Sequence, residues 1–379
     1  MDIYLDNAAT TKPCEAAVAA CMNCLTENYG NPSSLHGVGL KAEQAVTEAR
    51  KAVAAALVCD PECITFTSGA TECNNTIIFG AAEKFAKRRK KIVVSAVEHS
   101  SVAQPVKYLE EHGFEVVRIK PGRSGEIDAD DFIAAVDDNT FFASCMLVNN
   151  ETGAIMPVRK IFSRIKREHP ECMTHSDAVQ GFMKIPLKAA DLNADFITVS
   201  AHKVYGIKGA GAMYIKKGVK IPPRIYGGGQ EKNMRSGTES VPLIAAFGAA
   251  VRDHMPKLSA AHENAETLSN HLIAQLSALD YTAVNSIAEN RSPYIVNFSV
   301  EGIRSEIMLH FLESKGIFVS SGSACSKGAH SSVLSAMGVS DKLADSAIRV
   351  SFSRNTQIEE VNALIEAIKE GRETLARVK

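Results

Sequence analysis

The stretch Asp195-Phe-Ile-Thr-Val-Ser-Ala-His-Lys-Val-Tyr-Gly-Ile-Lys-Gly-Ala-Gly-Ala-Met-Tyr-Ile215 decides the reading of this chain. Phe196 to Val199 are β-branched or aromatic and predict a buried strand. Gly206, Gly209 and Gly211 punctuate a turn, and Ala212 to Ile215 predict a second strand. Between the two lies Ser200-Ala-His-Lys203. A lysine at the mouth of a strand, flanked by small residues and a histidine, is poorly explained by packing. A partly desolvated site lowers the pKa of an ammonium, and the freed amine can form a Schiff base. Ser200 and His202 are placed to hydrogen-bond a phosphate. The competing reading is a surface lysine in a hairpin.

Working outward, strands and helices alternate on the N-terminal side of this stretch. Cys63 to Thr67 predicts a strand, followed by Ser68-Gly-Ala-Thr-Glu-Cys-Asn-Asn75 opening a helix. Strand, small-residue turn and helix N-terminus together suit an anion, because free backbone N–H groups and the helix dipole face it. An ordinary N-cap at Ser68 or Thr71 is the alternative. Strands follow at Ile92–Ala96, Phe114–Ile119, Phe141–Val148 and Cys172–His175, with helices before or between them to about His112, near 128–137 and near 157–168. This rhythm predicts an α/β fold with a mainly parallel sheet and helices on both faces. Ligands in such sheets sit outside the carboxyl ends of the strands. Thr71, His99, Asn150, Asp177, Gln180, Ser200, His202 and Lys203 all fall at those ends. Each alone reads as structural; their convergence is what points to a site.

The rest of the chain is read more simply. Pro13 suits the first turn of a helix reaching about Asn28, and residues 40–58 are helical by spacing. Cys21-Met-Asn-Cys24 has a redox or metal spacing but no second pair nearby, so it reads as apolar filling. His36, in the polar loop 28–39, is a candidate for substrate contact. Lys87-Arg-Arg-Lys-Lys91 reads as a solvated helix C-terminus. The segment Tyr226–Glu239, with three consecutive glycines, reads as a mobile or closely approached loop. A helical stretch from Val241 to Leu279 breaks near Pro256. Strands at Tyr294–Val300, Ile317–Ser320 and Ala347–Phe352, with helices from Ser305 to Ser314 and from about Gln357, predict a smaller α+β domain. The expected division is 1–14 as an N-terminal segment packing with the small domain, 15–255 as the large domain, and 256–379 as the small one.

Charge and composition narrow the function. Forty-two basic against 43 acidic residues leave a net charge of -1, which argues against bulk electrostatic binding to nucleic acid or membrane. No apolar run reaches the roughly 20 residues that span a bilayer. The N-terminus carries acids where a signal peptide needs bases. Nine scattered cysteines, an odd number, imply no disulfide framework and fit a reducing cytosol. One cysteine stands apart. Cys325 lies in Ser320-Ser-Gly-Ser-Ala-Cys-Ser-Lys-Gly-Ala-His-Ser-Ser332, almost all small and polar, which predicts a mobile loop. Lys327 and His330 nearby favour its thiolate, so the sequence gives Cys325 a chemical role.

At this point the chain resembles the NifS/IscS family of cysteine desulfurases, within the fold-type-I pyridoxal 5′-phosphate (PLP) enzymes. The resemblance rests on Tyr4-Leu-Asp-Asn-Ala-Ala-Thr-Thr11, Thr67-Ser-Gly-Ala-Thr-Glu72, Glu98-His99, Val148-Asn-Asn-Glu-Thr-Gly153, Asp177-Ala-Val-Gln180, Ser200-Ala-His-Lys203, Arg235-Ser-Gly-Thr238 and Ser320-Ser-Gly-Ser-Ala-Cys325, in the family's order. It implies a seven-stranded-type sheet in the large domain. It implies that Lys203 holds PLP covalently and moves the substrate's α-proton, and that Asp177 pairs with the pyridinium nitrogen. Gln180 would contact the ring hydroxyl, and His99 would stack on the ring. Ala70, Thr71, Ser200 and His202 would hold the phosphate, with Thr238 added from the neighbouring subunit of a homodimer. Asn150 would lie near ring and substrate, and Arg349 would clamp the substrate carboxylate with its bidentate fork.

The resemblance further implies that Cys325 attacks the sulfur of L-cysteine, keeps it as a persulfide and lets L-alanine leave. Its sulfur would pass to an acceptor protein, an iron–sulfur scaffold or a tRNA-thiolation protein, with Cys325 as a transient iron–sulfur ligand and no resident metal. Two departures bear on the acceptor. Lys327-Gly-Ala-His330 replaces a Glu-Pro pair common in the family, and Lys379 follows closely on the last helix, where housekeeping members carry a longer tail. The competing expectations are a selenocysteine lyase or another fold-type-I PLP enzyme such as an aminotransferase, and a non-catalytic scaffold on the same fold. Cys325 in its loop argues against the aminotransferase, and the presence of Lys203 and Cys325 argues against the scaffold.

Overall fold

A computed structural model describes residues 2–85, 87–321 and 331–375. Its largest sheet has seven strands in the order Ile64–Thr67, Gly211–Ile215, Phe196–Ser200, Met173–Asp177, Thr140–Ser144, Lys91–Ser95 and Glu115–Ile119. Neighbours are parallel from Phe196–Ser200 outward to Glu115–Ile119. Gly211–Ile215 runs antiparallel to both of its neighbours. Lys91–Ser95, Thr140–Ser144 and Phe196–Ser200 read as largely apolar runs because both sheet faces are covered there, whereas Met173–Asp177 is polar though fully buried and the edge strand Glu115–Ile119 is partly exposed. Adjacent residues accordingly enter separate cores. Val93, Ala143, Ile197 and Val199 join one cluster, and Ile92, Val94, Phe142 and Phe196 another.

Helices supply the cover. Val158–Glu168 buries Val158, Ile161, Phe162 and Ile165, a three-and-four spacing that puts one stripe against the sheet. Glu15–Thr26 and Gly37–Leu57 pack on Val241–His254. Pro256 does break the long helical stretch, as a 3₁₀ turn at Met255–Lys257 before Leu258–Ser277.

The C-terminal sheet domain is smaller. Four antiparallel strands run in the order Ser320–Ser321, Ala347–Ser351, Ile295–Val300 and Thr282–Val284. Val296, Phe298, Ile348 and Val350 meet Leu268 and Leu272 of one helix and Leu364 and Ile368 of the last, Ile358–Thr374. The chain's start joins this domain. Ile3–Tyr4 pairs in parallel with Ile317–Phe318, and Leu5 enters the same core.

Several boundaries differ from the sequence expectation. The strand expected over 141–148 ends at Ser144. The run beyond it stays buried, but the Met146 N–H is taken by the Glu98 carboxylate at 2.7 Å instead of by a ladder partner. The basic run 87–91 is a helix C-terminus only in part: the Arg88 and Arg89 N–H groups close on the Phe85 carbonyl at 2.7 and 3.0 Å, whereas Lys91 opens a strand and pairs with Asp137 at 2.7 Å. Asp177 is the last strand residue, not part of an exit loop. The Cys325 loop, including Lys327 and His330, lies outside the described residues.

Candidate active site

The carboxyl ends of the parallel strands open into a cavity of about 440 Å³. Ala70, Thr71, His99, Asn150, Asp177, Gln180, Ser200, His202, Lys203 and Arg349 all line it. The residues singled out from sequences more than a hundred positions apart are thus brought together. Two of the other candidates do not line it. Thr238 is exposed and does not line the cavity. His36 caps the helix Gly37–Leu57, its Nδ1 accepting from the Gly39 N–H at 3.2 Å, so it is not a substrate contact of this cavity. Cys325 lies outside the described residues.

Asp177 forms the floor. It is 5% exposed; Oδ2 accepts from Asn74 Nδ2 at 2.9 Å and Oδ1 from the Val179 N–H at 3.0 Å. Among the described residues it has no ion-pair partner. A buried carboxylate without a cation calls for one, since an unpaired buried charge is costly. The nitrogen of a protonated pyridine meets that requirement.

The opposite end suits a phosphate. Gly69 and Ala70 begin the helix Ala70–Phe85, whose first N–H groups have no partner within the helix. Gly211 lets that turn approach: a Cβ there would lie 2.6 Å from Gly69 Cα and 3.0 Å from Ala70 N. Glu72 fixes the turn by accepting from Ser68 N at 2.9 Å and from Ser68 Oγ at 2.6 Å, and it pairs with Arg235 at 2.9 Å. Ser200 and His202 line the same cavity. Burial pushes the His202 imidazole down to about 4, with Lys203 second, so it acts as a neutral group at physiological pH.

Lys203 stands between these ends. Its Nζ donates to the carbonyls of Ala8 and Ala9 at 2.6 and 2.7 Å. His99 faces the cavity with its ring oriented by Ser101. The Ser101 N–H donates to Nδ1 at 3.1 Å, which places the proton of the neutral ring on Nε2. Burial holds His99 below its usual pKa, with Asp177 opposing and Lys203 assisting. Arg349 sits on an inner strand of the small sheet and lines the cavity. Nη1 donates to Asn150 O at 3.0 Å, Nη2 pairs with Asp6 at 2.8 Å, and Nε has no partner among the described residues.

Sequence reasoning missed four contributors. Ala8 and Ala9 act through backbone carbonyls, which carry no residue signature. Asn74 lies one helical turn beyond Thr71, a spacing that puts both on one helix face. Asp6 sits in a stretch quoted for its family likeness but was given no role. The Cys21/Cys24 pair reads in the structure as it did in the sequence. Cys24 is buried in the main core, Cys21 packs against a small alanine cluster, and burial raises both thiols.

At the carboxyl ends of a mostly parallel seven-stranded sheet, the cavity thus joins a lysine, a buried carboxylate and a helix N-terminus. Known proteins give the family. The aminotransferase class-V model matches residues 3–364. The cysteine desulfurase IscS of Dictyoglomus turgidum is 38% identical over 371 residues, covering 97% of this chain and 94% of that one. A solved NifS-like protein superposes with a TM-score of 0.94 at 36% identity, covering 99% of this chain and 100% of the other. SspA, solved in complex with cysteine, gives a TM-score of 0.82 at 31% identity over 93% of this chain and 99% of its own. The chain therefore belongs to the class-V aminotransferase family, in its NifS/IscS cysteine desulfurase branch. That family is PLP-dependent.

Proposed function

We propose that this protein is a PLP-dependent cysteine desulfurase that converts L-cysteine to L-alanine and keeps the sulfur as a persulfide on Cys325. The observation that carries the reading is the placement of Lys203, Asp177, His99 and Arg349 around one cavity. When bound, PLP supplies an electron sink for the amino acid's α-carbon. Lys203 would hold it, Asp177 would keep its ring nitrogen protonated, and Gln180 would turn an N–H toward its ring oxygen. Ala70, Thr71, Ser200 and His202 would hold the phosphate, and the neutral His99 ring would cover the pyridine face.

The residues then divide the work on the substrate. Arg349, which lines the cavity, receives the cysteine carboxylate. Asn150, whose carbonyl already holds Arg349, lies beside the same position. Lys203 Nζ takes the α-proton and returns a proton to the carbon skeleton that leaves as alanine. His99, with its proton on Nε2, is placed to move a proton at the substrate sulfur. The Cys325 thiolate attacks that sulfur; a new S–S bond forms as the C–S bond breaks, and its electrons stay on carbon.

Several finer points belong to the same proposal. The sulfur passes to an acceptor protein, an iron–sulfur scaffold or a tRNA-thiolation protein, and the enzyme works in the cytosol; free thiols at all eight described cysteines support a reducing compartment. No described helix is long and apolar enough to cross a membrane. The chain acts as a homodimer with Thr238 reaching the partner's phosphate. Val18, Met22 and Leu25 on one helix, with Tyr29 and Leu35, are exposed apolar residues that suit a self-interface; a monomeric mass by light scattering would remove this part. Residues 15–255 and 256–379 form the large and small domains, with 1–14 packing on the latter.

The test is turnover by the purified, PLP-loaded protein. L-cysteine should yield alanine and, with a thiol reductant, sulfide in equal amounts, and Lys203→Ala should yield neither. Alanine formed only from selenocysteine would turn the reading to a selenocysteine lyase. Transamination with retention of sulfur would turn it to an aminotransferase.

A further inference from the structure

Lys184 is a buried lysine that the reaction above does not use. It is 7% exposed and lies behind the cavity wall rather than in it. Its Nζ donates to Gln180 Oε1 at 2.9 Å and lies 5.9 Å from the centroid of the Tyr294 ring. It forms no ion pair among the described residues. Burial first, then Lys203 and Arg349, push its pKa down to about 7. An ammonium hidden without a carboxylate is a poor stabilising device, because an apolar side chain of similar volume would fill the space without the desolvation cost.

The backbone is built to hold this lysine in place. Met183 takes φ +58°, a left-handed conformation uncommon for a side chain of its kind. The carbonyls on either side of that bend are both clamped. His254 Nε2 donates to Met183 O at 3.1 Å, and His262 Nδ1 donates to Lys184 O at 3.0 Å.

Gln180 is what the lysine touches. Its Nε2 donates to Ala8 O at 2.9 Å, the same carbonyl that accepts from Lys203 Nζ at 2.6 Å. The amide therefore has a donor on one side and an acceptor on the other. Lys184 Nζ carries hydrogens in either charge state and can only be satisfied by an oxygen when it is charged. A flipped amide would set N–H against N–H at Lys184 and oxygen against oxygen at Ala8. With Lys184 charged, Lys184 and the Ala8 carbonyl demand the same orientation. Its second N–H remains for the cavity.

We infer that Lys184 is a positioning residue for the PLP site: it fixes the amide orientation of Gln180, and through Gln180 the donor offered to the cofactor's ring oxygen and the Ala8 carbonyl that seats Lys203. The inference rests on the PLP reading above. The distinguishing experiment is a double-mutant cycle read by cofactor binding. Apo wild type, Lys184→Met, Gln180→Leu and the double variant are titrated with PLP, and the visible absorbance maximum of each loaded form is recorded. Urea midpoints of the apo forms are measured alongside.

Lys184→Met should bind PLP about tenfold more weakly, the loss expected for one misdirected hydrogen bond in a buried site, with a displaced absorbance maximum. Its apo midpoint should equal or exceed that of wild type. In the Gln180→Leu background the same substitution should change neither affinity nor spectrum. Equal losses in both backgrounds, or unchanged affinity and spectrum in Lys184→Met, would overturn the inference while leaving PLP binding intact. A wild type that binds no PLP would remove the cofactor reading and this inference with it. If Lys184→Met does not fold, Lys184→Leu carries the same comparison.

Discussion

Gly211→Ala tests how closely the phosphate end of the site depends on backbone approach. Gly211 pairs with Thr67 on one side and Ser200 on the other, so it links the strand before the phosphate turn to the strand that leads into the Lys203 turn. A Cβ at this position would meet Gly69 Cα at 2.6 Å, Gly69 C at 2.7 Å and Ala70 N at 3.0 Å. All three are backbone atoms, so no side chain can swing aside. Restoring ordinary contact moves the turn by about 0.8 Å, and overpacking of this kind costs about 1–3 kcal/mol. For a chain of 379 residues that cost lowers Tm by about 1–4 °C. The effect on function should be larger. Displacing a binding group by about 1 Å can cost on the order of a hundredfold, and the displaced group is the helix N-terminus proposed to hold the phosphate. The assays are PLP titration of the apoprotein and thermal melts with and without PLP. Gly37→Ala is the control, since Gly37 is helical and no atom lies within 4 Å of its added Cβ. PLP affinity within twofold of wild type for Gly211→Ala would refute the reasoning, because the clash would then have been absorbed away from the site.

Two further outcomes are expected. Cys325→Ser should bind PLP normally and release almost no sulfide; after brief exposure to cysteine, one extra sulfur should appear by mass spectrometry on the wild-type Cys325 peptide and not on the Cys21/Cys24 peptide, and the reverse result would promote the paired cysteines. His175 lies fully buried between Ser144 Oγ and Thr198 Oγ1, and burial pushes it down to about 4; a depressed folded pKa means its stabilisation is complete above an unfolded value near 6.5 and is lost as pH falls toward 4, so the urea-derived stability gap between wild type and His175→Gln should shrink by about 2–3 kcal/mol from pH 7.5 to 4.5, and a pH-independent gap would contradict it.

The sheet was legible because both of its faces are buried. Phe196–Ser200, with no polar alternation to confuse its period, begins where its composition says and extends by one residue. The helix Ser305–Ser314 was legible to the residue. What the sequence did not reveal follows from contacts rather than propensity. Ile3–Tyr4 and Thr282–Val284 are strands of two and three residues, too short to show a period, and exist because Ile317–Phe318 and Ile295–Val300 offer edges to pair with. Cys145 to Val148 looked like more strand because the run is apolar; a buried carboxylate, Glu98, competes for its backbone. The site divided along the same line. Of the side chains proposed for the chemistry, Lys203, Asp177 and His99 stood out as polar groups at strand ends or within matched stretches, and Arg349 only through the family likeness. The groups that hold them did not.

Those holding groups concentrate in one place. Asp6 pairs with Arg349, Ala8 and Ala9 accept from Lys203, Ala8 accepts from Gln180, and Thr11 N donates to His202 O at 2.8 Å. The Asn7 side chain and the Ala8 N–H in turn bind Ser351 at 2.9 and 2.7 Å, on the strand that carries Arg349. Residues 6–11 thus tie the lysine of the large sheet to the arginine of the small one. The separation between the proposed proton-transfer group and the proposed carboxylate clamp is therefore set by this segment rather than by either sheet alone. Its residues are small because six consecutive positions touch backbone or buried side chains from both sheets, and Asn-Ala-Ala leaves the carbonyls of Ala8 and Ala9 uncovered for Lys203. An Asp6→Asn change removes the charge opposite Arg349 while keeping the shape, so it should act on cysteine binding far more than on PLP binding. That split, read as a changed KM with an unchanged PLP dissociation constant, is what a segment serving two ends of one site requires.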